Sequence, residues 1–270
     1  MNSPVVSVIM ATYNDKPSLL KIAIESILTQ TYNDWEFIIV DDSTDIETIQ
    51  LIDDFKVKDK RLIVIRDTKK IGFVPALNIG LKKARGKYIA RMDGDDISHP
   101  ERFEKQINFL NNNSKYAVVG SDINLINSVG TITSQLKFPE KGIRFRLFAM
   151  LRCPIQHGAV MMHRSIIDSG FFYDENFKRS EDLELWLRLL KNGIKLYNIK
   201  EILYDFRIDD DYAGKRSKVH FQFNLNARLK NFTWKYPITG LVGISMAYFY
   251  MNTPLFIKKL IYSKLNKTTT

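Results

Sequence analysis

Tyr88-Ile89-Ala90-Arg91-Met92-Asp93-Gly94-Asp95-Asp96 runs from a short apolar segment into three carboxylates packed within four residues. The apolar part has the length and character of a buried strand, so the acids fall where that strand would end. In an open α/β sheet, ligands sit just outside the carboxyl ends of the strands. Like charges this close raise one another's pKa unless a cation or solvent compensates them. Carboxylate oxygens in that position suit Mg²⁺ or Mn²⁺ bridging to substrate phosphates. Asp and Gly are also ordinary turn residues, so a solvated acidic turn stays open as the alternative.

Working outward, the same strand-to-loop pattern repeats. Val5 to Met10 reads as a buried strand leading into Ala11-Thr12-Tyr13-Asn14-Asp15, and Pro17 opens a helix to about Gln30. Glu36 to Val40 is a second strand ending in Asp41-Asp42-Ser43, followed by a helix through Ile46, Ile49 and Ile52. Leu62 to Arg66 is a third strand and Val74 to Ala84 a third helix, and Pro100 opens another after the carboxylates. Strands that alternate with helices in this way predict a mainly parallel, doubly wound sheet. Right-handed crossovers then gather the loops at 11–15, 41–45, 67–73 and 93–99 on one edge.

Beyond residue 116 the pattern changes. Short strands are expected at Ala117–Val119, Ile123–Ile126 and 131–136, with a turn at Asn127 to Gly130. A helix is expected from Gly142 to Leu151 and a strand from Ile155 to Met162. Ser180 is placed to cap a helix with Leu183, Trp186, Leu187 and Leu190 on its apolar face, ended by Gly193. Trp186 reads as packing and His99 as a loop residue. No P-loop and no G-x-G-x-x-G after the first strand are present, so a dinucleotide cofactor is not expected.

The 270 residues carry a net charge of +10, and all of that excess lies after Asp211. There the chain has no acidic residue but ten basic ones, among them Lys215, Arg216, Lys258, Lys259, Lys264 and Lys267. The preceding body balances at 30 basic and 30 acidic residues, which argues against a general nucleic-acid coat. Cys153 is the single cysteine, in keeping with a reducing compartment. No signal-peptide pattern is seen, so a cytosolic start is expected. Tyr236 to Ile257 is free of charge. It is long enough to span a bilayer, but Asn252, Pro254 and two glycines favour a helix lying in the interface of an anionic membrane.

Five stretches taken together resemble the family 2 glycosyltransferases, inverting enzymes of GT-A fold. They are Val6 to Asn14, Ile39 to Ser43, Gly72 to Gly80, Asp93-Gly94-Asp95-Asp96, and Ser180-Glu181-Asp182 before Leu185-Trp186. The resemblance implies transfer of a sugar from a nucleotide-diphosphate sugar, a UDP-sugar foremost, to a hydroxyl of a glycan or lipid-linked saccharide. It implies that Thr12, Tyr13, Asp42 and Asp93 hold the nucleotide, that Asp95 with Asp93 holds Mn²⁺ or Mg²⁺, and that Asp182 is the general base. Glu181 is the alternative base, and His157 could touch the diphosphate or the metal. Asp41 is expected to point elsewhere, and Asp96 to cap the next segment. Asp67, Lys69 and Arg91 could approach the diphosphate or sugar, though as residues they read equally as solvated charges. The implied organisation is a catalytic body at 1–211, with a nucleotide-sugar half over about 1–115 and an acceptor half over about 116–211. A membrane-associating segment at 212–270 would place the enzyme in the cytoplasm at the inner face of a bacterial cell membrane. The alternatives are a sugar nucleotidyltransferase and a non-catalytic lipid- or nucleic-acid-binding module.

Overall fold

A computed structural model describes residues 3–67, 69–208, 218–254 and 257. Strand β1 (Val6–Thr12) is buried at every position, as a strand covered on both faces must be. It lies between β2 (Trp35–Asp41) and β4 (Tyr88–Arg91), parallel to both, and β3 (Leu62–Ile65) extends the parallel set beyond β2. Alternate residues of β1 serve opposite layers. Val6, Val8 and Met10 pack with α1 (Pro17–Leu28), α2 (Ile46–Lys58) and α4 (Arg102–Asn112). Ile9 and Ala11 pack with α3 (Phe73–Lys83), α5 (Gly142–Leu151) and α7 (Glu181–Lys191). The result is a three-layer α/β/α body around a nine-stranded sheet.

The sheet continues past β4 through β8 (Met161–His163), β6 (Val118–Ile126), β9 (Leu196–Arg207) and the two-residue β5 (Ile97–Ser98). β7 (Ile132–Leu136) forms the expected hairpin with β6. The two short strands expected at 117–126 are one strand, because it absorbs register shifts around Ser121 to Asn124 against β9 instead of breaking. The strand expected at Ile155–Met162 pairs only from Met161, and α6 (Ser165–Asp168) follows it. β9 was not expected at all, yet its far end holds the acidic turn. Ile97 pairs with Asp205, and Ser98 with Tyr204.

Two further helices, α8 (Lys218–Lys230) and α9 (Pro237–Asn252), carry the C-terminal part of the described chain. The expected boundary at 211, six of the ten tail cations (Lys215, Arg216, Lys258, Lys259, Lys264, Lys267), and Leu255 and Phe256 lie outside the described residues. Trp186 is fully buried, as expected of a packing residue. The buried side of α7 runs through Leu185, Trp186 and Leu189, while Leu187 and Leu190 turn toward α8 and α9.

Candidate active site

The carboxyl edge of the parallel strands assembles as the crossover rule requires. Asn14, at φ 51°, accepts from Thr44 N and Asp45 N through its Oδ1 (2.8 and 2.9 Å) and so ties the first loop to the second. Asp42 accepts from Ile71 N and Gly72 N, both at 2.8 Å, drawing in the third loop. Asp41 turns the other way: its buried carboxylate takes Arg66 Nε at 2.7 Å and closes a local turn on Ser43 N. Between the loops lies a cleft of about 260 Å³, lined among others by Thr12, Tyr13, Asp15, Asp42, Asp93 and Asp95. Lys70 stands over the Tyr13 ring at 3.7 Å on the same wall. Thr12 Oγ1 donates to Asp15 at 2.8 Å. Burial, aided by the charge on Asp93, still holds the Asp15 carboxyl above the ordinary range.

The acidic turn meets the cleft from the β4 side. Gly94 packs closely there: a Cβ would stand 2.4 Å from Asp15 Oδ2 and displace that carboxylate. Asp93 is paired with the buried Arg91 at 2.6 Å. Arg91 Nε and Nη1 have no hydrogen-bond partner among the described residues. Asp96 is fully buried and accepts from Arg207 N at 2.7 Å, and Arg207 Nε donates to the carbonyl of Asp95. Burial, then the charges of Asp93 and Asp95, push the Asp96 carboxyl well up. Asp96 therefore anchors the turn to β9 and caps nothing, since Glu101 precedes α4.

The third part is the start of α7. Ser180 adopts a left-handed φ of 57°, makes no cap hydrogen bond and has a buried hydroxyl without a partner among the described residues. An N-cap needs extended backbone to aim its oxygen at the helix amides, so the expected cap is absent here. Such strain in a non-glycine residue is held by its surroundings and clusters at functional sites. The acids that follow are not a solvated helix start. Burial, then the charge of Asp182, pushes Glu181 up to about 8. Asp182 is also raised by burial, against two donors that favour its charge, the Cys153 thiol at 3.2 Å and Leu183 N at 2.7 Å. His157 is buried, hydrogen-bonded to Tyr173 Oη at 2.7 Å and packed edge-on to Trp186. Burial, then the nearby Arg91, depresses its pKa strongly, so it is a neutral imidazole.

The Glycosyl transferase family 2 model matches residues 7–170, which contain every element of the cleft. The chain belongs to this family. Over its whole length it is 35% identical to an uncharacterized glycosyltransferase of Methanocaldococcus jannaschii, covering 96% of that protein. It is 37% identical to the putative glycosyltransferase EpsE of Bacillus subtilis, over 80% of this chain and 78% of the relative. The fold is that of GT-A transferases. Residues 1–349 of S. aureus TarS in complex with UDP-GlcNAc superpose with a TM-score of 0.71 at 18% identity, over 91% of this chain and 72% of that one. The chain spans 43% of the longer TarS chain. The mannosyltransferase PcManGT of Pyrobaculum calidifontis, in complex with GDP-Man and Mn²⁺, superposes at 0.69 and 13% identity, over 98% and 80% of the two chains.

In this glycosyltransferase, the expected nucleotide residues Thr12, Tyr13, Asp42 and Asp93 share one cleft with Asp95. Glu181 and Asp182 lie outside its lining, but the charge of Asp93 acts on both. His157 is turned to Tyr173, and His99 binds Asp205 at 2.6 Å. Among the described residues no cluster of three or more His, Cys, Asp or Glu forms a complete protein cage for a metal. Mg²⁺ takes few protein carboxylates and completes its shell with water and phosphate oxygens, so Asp93 and Asp95 beside a ligand-sized cleft fit such an ion. Asp15, Cys153 and Tyr204, whose hydroxyl takes Asp93 N at 3.3 Å, complete the site and were not assigned to it from sequence; Arg91, which could have been a solvated charge, is buried and paired with Asp93. Arg91 carried a usable signal, since a lone cation inside an apolar strand demands a partner. Cys153 and Tyr204 gave none, because only the fold brings them near.

Proposed function

We propose that the enzyme moves a sugar, with inversion, from a nucleoside-diphosphate sugar to a hydroxyl of a glycan or lipid-linked saccharide, with Asp182 as general base. The observation that carries this reading is the pair Glu181–Asp182, half-buried at a strained helix start and within reach of the charge of Asp93 in the cleft. A carboxylate with a raised pKa is a stronger base and accepts the acceptor's proton more readily. As the proton passes to Asp182, the acceptor oxygen attacks the anomeric carbon and the bond to the diphosphate breaks on the opposite side. Each oxygen of Asp182 accepts one donor, Cys153 Sγ and Leu183 N, and retains lone-pair capacity for the incoming proton.

The donor is read as a UDP-sugar, the class found bound to S. aureus TarS. Each oxygen of Asp42 already accepts one backbone amide and retains lone-pair capacity for base or ribose. Thr12 and the exposed Tyr13 ring supply the facing wall. Mn²⁺ or Mg²⁺ held by Asp95 with Asp93 would neutralise the departing diphosphate. Family membership sets aside the nucleotidyltransferase and the non-catalytic module. The division at 211, and a cytoplasmic location at the inner face of the cell membrane, belong to the same proposal and rest on the charge change at that point.

The test is titration calorimetry with nucleoside diphosphates, with and without Mn²⁺, alongside transfer assays. Asp182→Asn is expected to lower kcat by about 10²–10⁴-fold while leaving donor affinity intact. Asp95→Asn is expected to abolish the Mn²⁺-dependent part of donor affinity. Wild-type turnover in Asp182→Asn would remove Asp182 from the role, and then Glu181→Gln becomes the deciding variant.

A further inference from the structure

Helix α9 is apolar almost throughout, and the structure shows which side faces the protein. Gly243 and Ala247 are buried, and Gly240 lies so close to Phe232 that a Cβ would stand 2.8 Å from its ring. The large residues point out. Ile238, Leu241, Val242, Tyr248 and Phe249 are 40–76% exposed, at the spacing of one helical face. Small residues inward and large apolar residues outward is the reverse of a soluble amphipathic helix, and an apolar face of this kind, interrupted only by the exposed Ser245 and Asn252, marks a surface that gets covered.

Beside α9 is a small pocket of about 90 Å³ between α5, α7, α8 and α9. Arg146, Lys191, Arg228 and Lys235 line it, without a carboxylate in the lining. Arg146 lies on the Tyr236 ring at 3.8 Å, and the buried Arg228 donates to Ala149 O and Asn224 Oδ1. Among the described residues no acidic group forms an ion pair with any of the four. A concave basic site on the flank of α9, reached through Tyr236, Thr239 and Gly240, beside an outward apolar face is complementary to an anionic lipid, with phosphate at the level of the cations and acyl chains against the outward face. No helix among the described residues is long and apolar enough to cross a membrane, so the face would lie on the bilayer.

We propose that α9 seats the enzyme on an anionic phospholipid bilayer, with the pocket taking a headgroup phosphate. This deepens the membrane part of the proposed function and is independent of the assignment of the base. It also sets a distance. Lys191 of the pocket and Asp182 are nine residues apart on α7, about 13 Å at 1.5 Å per residue. The base is thereby held one short helix from the lipid phosphates.

The experiment is sedimentation of the full chain with vesicles of phosphatidylcholine, alone or with phosphatidylglycerol, at low and high salt. Binding is expected only with phosphatidylglycerol, weakening as salt rises. Arg146→Gln with Lys235→Gln is expected to lose about thirtyfold in vesicle affinity, the effect of two interfacial cations. Leu241→Asp with Phe249→Asp is expected to abolish binding, and both double variants to keep wild-type nucleotide affinity, which shows that they fold. Equal binding to both vesicle types, or vesicle affinity unchanged in both double variants, overturns the proposal. So does a wild-type dimer that ignores vesicles and becomes monomeric in Leu241→Asp/Phe249→Asp, because the face would then belong to a second copy. Loss of transfer activity in Asp182→Asn with vesicle binding intact separates this proposal from that of the base.

Discussion

Replacing Cys153 by Ala removes the thiol that donates to Asp182 Oδ2 at 3.2 Å and leaves that carboxylate with Leu183 N as its remaining backbone donor. A hydrogen bond to a charged group is worth about 1.5–3 kcal/mol, and a thiol is a weak donor, so about 1 kcal/mol is a fair figure here. At 1.36 kcal/mol per unit, the Asp182 carboxyl would rise by about 0.7 unit. The direction follows from the role. As the proposed base, Asp182 would work only when ionised; its pKa already lies above the ordinary range through burial, and losing a donor to the charged form raises it further.

In the pH dependence of kcat/KM, the acid limb therefore moves to higher pH. On that limb the rate follows the ionised fraction and falls about fivefold, while the plateau at high pH is unchanged. The limb belongs to the Glu181–Asp182 pair as a whole, so the shift of the entire limb is the quantity to read. Cys153→Ser keeps a donor and is expected to leave the limb in place or move it to lower pH. A thermal melt separates this effect from a loss of packing around the half-buried sulfur. If Cys153→Ala overlays the wild-type profile, the thiol does not set the charge of the base, and the reasoning from the 3.2 Å contact is refuted.

Three further expectations follow from the geometry. Arg91→Met strands Asp93 beside Asp15, Glu181 and Asp182, so a loss of about 3 kcal/mol in urea unfolding is expected, with donor affinity falling as well; unchanged stability would deny Arg91 its central place. Gly158→Ala drives a Cβ to 2.2 Å from Tyr204 Oη and 2.7 Å from Asp93 Oδ2 and should cost about 1–3 kcal/mol in the same measurement; unchanged stability would show that the Tyr204 and Asp93 side chains can give way. Arg66→Met unpairs the buried carboxylate of Asp41 and should destabilise by roughly 3 kcal/mol, while nucleoside diphosphate affinity holds; a large affinity loss instead would place Asp41 in the site.

The parallel half of the fold was legible because each of its strands is a short apolar run followed by a helix with its own period. The loops holding Thr12, Asp42 and Asp93 followed from connectivity alone. β9 escaped because Leu196 to Arg207 mixes charges with apolar residues, its buried and half-buried positions following no strict alternation. With β9 went Asp96: its acceptor role exists only because Arg207 N arrives from more than a hundred residues away. Ser180 read as a cap because residue type suggests one, whereas its backbone is left-handed at φ 57°, a conformation that residue type does not announce. In α9 the whole helix is apolar, and no pattern in the sequence says which side turns in.

Asp93 is what links the cleft to the proposed base. Its charge acts on Asp15 in the cleft wall and on both Glu181 and Asp182, three carboxyls delivered by two separate elements, each raised first by burial. Arg91 answers it at 2.6 Å with a guanidinium that is itself buried, so little water is left to screen the exchange. Anything that neutralises Asp93, a cation in the cleft above all, relieves the repulsion on Asp182 and lowers its pKa toward the ionised form. That relief is modest, because burial is the leading cause at Asp182 and the charge of Asp93 comes after its two hydrogen-bond donors.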